Sequence, residues 1–120
     1  DKYLNVIATH FHHVGSGSVV RQQQAGVLLD YWNQAGSTVI MGDLNAHPDA
    51  PEIQKFRDAG LLDVLAFIEP PPAYTFHADE PYERIDYIWI SPEMDAQDIK
   101  VYPSTASDHL AIMATVYPGY

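Results

Sequence analysis

A mixed α/β (α+β) fold is predicted by three observations. β-rich runs alternate with runs of helical spacing, in the order strand, helix, strand, helix, then several strands. The chain has 120 residues and no cysteine, which is enough for one core held without disulfides. Apolar residues make up 47% and charged residues 18%, the balance of a folded globular domain. No repeat, low-complexity tract or linker divides it, and Pro70-Pro71-Pro72 reads as a stiff loop.

The first strand is predicted over 4–10, a β-rich run that ends in a polar, histidine-dense loop. Ser18 is placed to cap a helix over 19–35, whose apolar face would carry Val20, Val27, Leu28, Tyr31 and Ala35, with Gly36 as its stop. Residues 37–41 are β-branched and apolar enough for a short buried strand ended by Gly42. Asp49 and Glu52 resemble a capping box. With Pro51 in the first turn, they predict a second helix running to about Ala59 and closed by Gly60. Residues 61–67 fit a strand or a helix equally. Four further strands are read over 74–77, 84–91, 99–102 and 110–117, so the tail of the fold is mostly antiparallel.

Charge and composition narrow the function. Six Lys and Arg against sixteen Asp and Glu leave a net charge of −10, which disfavours binding a phosphate backbone through a broad basic face. A bound cation or a local basic patch would offset that field. The absence of cysteine removes a thiol nucleophile and a zinc–cysteine site. No apolar stretch approaches a membrane span, and the chain opens on Asp1 with no visible signal peptide, so compartment is not read from it.

Four short segments carry residues suited to chemistry. In Met41-Gly42-Asp43-Leu44-Asn45 a buried strand delivers a carboxylate and an amide two residues apart, hence on one side by alternation. Such a pair can hold a phosphate or a metal-bound water, although Gly, Asp and Asn also compose ordinary turns. Ser107-Asp108-His109 sets a hard oxygen ligand beside an imidazole just before a strand, or serves as a strand-entry loop. Within Arg84-Ile85-Asp86-Tyr87-Ile88, Asp86 sits in an apolar strand and needs a partner, either Arg84 or a histidine that it orients. Thr9-His10 is followed by His12 and His13. His10 and His12 could share a face, and a zinc site there is open in principle.

Taken in order, these segments resemble one family. Thr9-His10, Arg21 and Gln24 on the first helix, Gly42-Asp43-Leu44-Asn45, Tyr74-Thr75-Phe76, Arg84-Ile85-Asp86-Tyr87-Ile88 and Ser107-Asp108-His109-Leu110 are similar to the endonuclease/exonuclease/phosphatase, or DNase I-like, superfamily. The resemblance spans nearly the whole chain. It implies half of a DNase I-like two-sheet α/β sandwich, a mixed and mostly antiparallel sheet with flanking helices. It also implies roles. Asp43 and Asn45 would position water and the scissile phosphate, His109 would act as base or phosphate contact, and Asp86 would orient His109. His10 would meet the phosphate and the leaving group, and Asp108 would bind metal. Thr75 and Arg84 would support the site and contact substrate, and Arg21 with Gln24 would support it structurally.

The implied activity is hydrolysis of a phosphodiester or phosphomonoester with Mg²⁺, or Mn²⁺ in its place. The acidic composition and short loops favour a small or lipid phosphodiester over duplex DNA. His10 argues against the abasic-site repair branch. Phe11, Tyr74, Phe76 and Tyr82 are aromatic candidates for touching a base or lipid, or for the core. One family ligand, a glutamate on the first half of the domain, has no counterpart here. The chain is therefore expected to be the C-terminal half, over 1–120, of such a domain. It would be completed by an N-terminal half or by a second copy in a homodimer, and be inactive as a lone monomer. The alternative is a non-catalytic interaction module on the same scaffold, as in lipid or GPI-anchor remodelling.

Overall fold

The structure, a computed structural model, describes residues 2–120. Its strands are β1 (Asn5–His10), β2 (Thr38–Asp43), β3 (Leu62–Asp63), β4 (Asp86–Ile90), β5 (Asp95–Tyr102) and β6 (Ala111–Tyr117). Its helices are α1 (Ser18–Trp32) and α2 (Pro51–Asp58), and a 3-10 turn covers Val64–Phe67. One sheet has the order β1-β2-β4-β3, with β1 parallel to β2 and the other pairs antiparallel. β5 and β6 form a separate antiparallel pair. The α/β class and the mostly antiparallel tail are as the sequence predicts.

The four-stranded sheet is covered differently on its two faces. Tyr87 and Trp89 of β4 pack with Phe11, Leu28, Trp32 and Phe56 on the helix side. Val39, Ile88 and Ile90 pack with Ile112, Ala114 and Val116 of β6 on the other. By strand register Val6 lies beside Val39, and Ala8 beside Met41, on this second face. The β5–β6 pair leaves this part of the face only partly covered: Val6 is 57% and Met41 38% exposed. Among the described residues no helix is long and apolar enough to cross a membrane.

Several local expectations are corrected. α1 buries Arg21, Ala25, Leu28 and Trp32, while Val20, Val27 and Tyr31 are exposed, the last by 80%. Its apolar residues are spread around the helix, so pattern alone does not choose the face. The packing against α2 chooses it, through an ion pair described below. α1 stops at Trp32, where Asn33 adopts φ 45° and its N–H closes onto Leu29. Asn tolerates this left-handed cap, so Gly36 is not needed for it. Ser18 and Glu52 make no caps: the Ser18 hydroxyl donates to Glu52, which is fully buried. β2 continues through Gly42 to Asp43. Residues 61–67 are both strand and 3-10 turn. Residues 74–77 form no strand, although Phe76 bridges to Glu83 and to His109. β4 starts only at Asp86, whereas β5 begins earlier than read, at Asp95.

Candidate active site

Three candidate residues form a transverse row at one end of the sheet. His10 is the register partner of Asp43 across β1–β2, and Asp43 that of Asp86 across β2–β4. Register partners project on one face, so three separate segments deliver their side chains together. Gly42 makes this possible. It has φ 150°, and a Cβ there would lie 1.8 Å from the Thr9 carbonyl oxygen.

His109 enters from the loop before β6 and lies over the row. Its Nδ1 is 2.8 Å from Asp86 Oδ2 and its Nε2 is 3.5 Å from Asp43 Oδ2. His10 Nε2 approaches the same Asp43 oxygen at 3.4 Å from a mostly exposed position. Burial works against the charged imidazolium of His109. The hydrogen bond to Asp86, together with the charges of Asp86, Asp43 and Asp108, outweighs it and raises the pKa above the ordinary histidine value. Burial raises the pKa of Asp86 against the opposing hydrogen bonds from Thr75 and His109. Asp86 thus finds its partner in the histidine and not in Arg84.

Neighbouring groups hold these side chains. Fully buried Thr75 accepts the N–H groups of Ile85 and Asp86 on Oγ1, both at 3.3 Å, and its carbonyl accepts the Leu110 N–H at 2.7 Å. The Phe76 ring lies 5.0 Å from that of His109. Asn45 lies beyond the end of β2, so strand alternation does not place it as expected. Its φ is 49°, its N–H donates to Asp43 Oδ1 at 2.9 Å, and its side-chain amide donates to the Phe11 carbonyl at 2.8 Å. The Tyr87 hydroxyl donates to the Ala46 carbonyl at 2.7 Å, and burial raises its pKa.

α1 anchors the loop that follows His10. Arg21 donates from Nη1 to the carbonyls of His12 and Val14, from Nη2 to that of Gly15, and from Nε to Glu52 at 2.6 Å. Gln24 accepts the His12 N–H. Burial alone would raise the Glu52 pKa. Its own backbone N–H, Arg21 and Ser18 together hold it below the ordinary value.

Three expected site residues stand outside the row itself. Arg84 is buried and forks onto both oxygens of Asp63, at 2.7 and 2.6 Å, so it is not available to a substrate. Thr75 has no exposed surface and acts through Asp86, on both its backbone N–H and its carboxylate. Asp108 is exposed, accepts from Ser107 Oγ, and stands outside the carboxylate row. Of the aromatic candidates Phe11 is core, whereas Tyr74 and Tyr82 are exposed. Glu52 and Asp63 are partners that sequence reading missed. Two buried arginines would each demand a carboxylate, but nothing in their spacing names it.

Asp43, Asp86 and His109 each offer one ligand atom, all within 4.8 Å of one another. Two carboxylates and an imidazole make a donor set that fits a divalent cation.

The sequence matches the family described as Endonuclease/Exonuclease/phosphatase over residues 6–109. A search of curated proteins finds no significant match. The fold is similar to an endonuclease/exonuclease/phosphatase from Beutenbergia cavernae, with TM-score 0.79, 23% identity, and coverage of 95% of this chain and 36% of that one. It is similar to the human Nocturnin catalytic domain with bound sulfate, with TM-score 0.76, 22% identity, and coverage of 92% and 46%. It is also similar to a Bacteroides thetaiotaomicron mannosyl-6-phosphatase, with TM-score 0.74, 19% identity, and coverage of 93% and 50%. At these identities the likeness concerns the fold. The chain spans half or less of the length of each of these three structures.

Proposed function

The chain belongs to the endonuclease/exonuclease/phosphatase family, and on that premise we propose that it carries the hydrolytic centre of a Mg²⁺-dependent phosphoesterase. The observation that supports this reading is the single imidazole of His109 spanning Asp86 and Asp43.

Asp86 fixes the His109 ring through Nδ1 and leaves Nε2 on the side of Asp43. Nε2 takes a proton from water as the water oxygen bonds to phosphorus and the ester P–O bond breaks. The raised pKa of His109 makes it a stronger proton acceptor. Exposed His10 protonates the departing oxygen. Asn45 orients the phosphate beside Asp43. Asp43 and Asp86, with Asp108 nearby, would hold Mg²⁺ or Mn²⁺, which would supply positive charge to the phosphoryl oxygens, while His109 keeps Nε2 for the proton. The half-length coverage and the exposed Val6–Met41 face support completion of the domain by an N-terminal half or a second copy.

The test is hydrolysis of an aryl phosphodiester and an aryl phosphomonoester with Mg²⁺, Mn²⁺ or EDTA, alongside Mn²⁺ binding by calorimetry. Metal-dependent turnover abolished by Asp43→Ala supports the proposal. Turnover that survives EDTA or Asp43→Ala, or a chain that neither binds Mn²⁺ nor hydrolyses either ester, overturns it.

A further inference from the structure

Behind Asn45 lies a second cavity, separate from the carboxylate row, with a volume of about 460 Å³. That volume falls within the range of small-molecule sites. It is built between the loop after β1, the loop after β2 and the segment entering β4. We propose that this cavity is a subsite for a hydroxylated group, a sugar or polyol, on the substrate. The inference rests on the phosphoesterase reading and names its substrate class.

Asn45 connects the two places. Its N–H is bonded to Asp43 Oδ1, while the residue itself lines the cavity. A group esterified to a phosphate held beside Asp43 therefore has this cavity as a neighbour.

The lining chooses the chemistry. The inner wall is the Arg21–Glu52 pair, both members at least nine-tenths buried. Arg21 spends Nε on Glu52 and both terminal nitrogens on backbone carbonyls, so it offers no free fork to a second phosphate. The outer wall carries His13, His47, Asp49 and Glu83. His47 Nε2 lies 3.1 Å from Glu83 Oε1, and Asp49 has no hydrogen-bond or ion-pair partner among the described residues. Carboxylates accept, and imidazoles donate or accept according to tautomer. A hydroxyl does both, so adjacent hydroxyls on one ring satisfy this mixture. A second phosphate is repelled by the two carboxylates. A nucleobase finds no Phe, Tyr or Trp ring among the lining residues on which to stack.

The test is an NMR titration of the chain that follows the His13, His47 and His109 ring signals, with Mg²⁺ present. Glucose 6-phosphate and glucose are expected to move His13 and His47, and inorganic phosphate is expected to leave both unmoved. Asp49→Asn is expected to weaken the glucose 6-phosphate response about tenfold, the loss of one hydrogen bond to a charged group. Glu83→Gln provides an independent second variant with the same expected direction. His13 and His47 signals that stay fixed with both sugars up to tens of millimolar, a very weak-binding regime, overturn the proposal. So does tighter binding of AMP or fructose 1,6-bisphosphate than of glucose 6-phosphate at those two signals. The His109 signal reports separately. If inorganic phosphate does not move it while the sugars move His13 and His47, the phosphoesterase reading fails and the sugar site stands.

Discussion

Asp43 and Asp86 face each other across the β2–β4 register, and the imidazole of His109 reaches both carboxylates. Two acidic groups on neighbouring strands repel when charged. The imidazole between them offsets that repulsion and is itself made more basic by it. One ring thus offsets the repulsion within the row and has its own pKa raised by it.

Removing the Asp86 charge should undo this tuning. In Asp86→Asn the His109 pKa is expected to fall, because the carboxylate that raises it is gone, while the fold persists through the Thr75 contacts to the backbone. Hydrolysis by the active form should drop by roughly 10²–10⁴-fold. An NMR pH titration of His109 checks the first part. An unchanged midpoint would remove Asp86 from this role.

The Arg21–Glu52 pair should act on stability with a defined pH signature. Glu52→Gln leaves a buried guanidinium without its counter-charge, at an expected cost of about 3 kcal/mol. The folded pKa of Glu52 lies below its ordinary 4.5, so its contribution is complete above that pH and is lost as pH falls through the folded value. Urea unfolding of both proteins should therefore show a gap at neutral pH that closes on acidification below 4.5. A gap independent of pH would contradict the assignment.

Arg84 should behave as a packing residue. Arg84→Met and Asp63→Asn should each cost roughly 3 kcal/mol, with the double variant well short of their sum. Neither should shift the His109 titration. A shift in Arg84→Met as large as that in Asp86→Asn would return Arg84 to the site.

Gly42→Ala tests the backbone beneath the row. The new methyl would collide with the Thr9 carbonyl at a φ that favours glycine. A loss of at least about 3 kcal/mol is expected from strain and broken β1–β2 pairing. Thermal unfolding measures it, and a shift in melting temperature of under a degree would show that the strands can part there without cost.

Much of the site was legible because its residues sit in short segments whose types speak for themselves. A carboxylate after a buried strand, a second within an apolar strand and a histidine before a third could be named from the chain. The pairing between them could not. Asp86 had two available partners, Arg84 two residues away and His109 twenty-three away, and local spacing favours the nearer. The structure turns Arg84 to Asp63 and leaves Asp86 to His109. Likewise Glu52 carries the pattern of a helix cap, yet Arg21 on another helix claims it.

The chain alone carries the alternation of its first two strands and two helices and the motifs of its family, since these depend on local periodicity and on segments a few residues long. Tertiary structure alone decided which face of α1 is buried, which carboxylate satisfies each buried arginine, and that His10, Asp43 and Asp86 form one row. Those outcomes depend on register between distant strands and on the cost of burying a charge without a partner, and both are fixed only when the whole sheet closes.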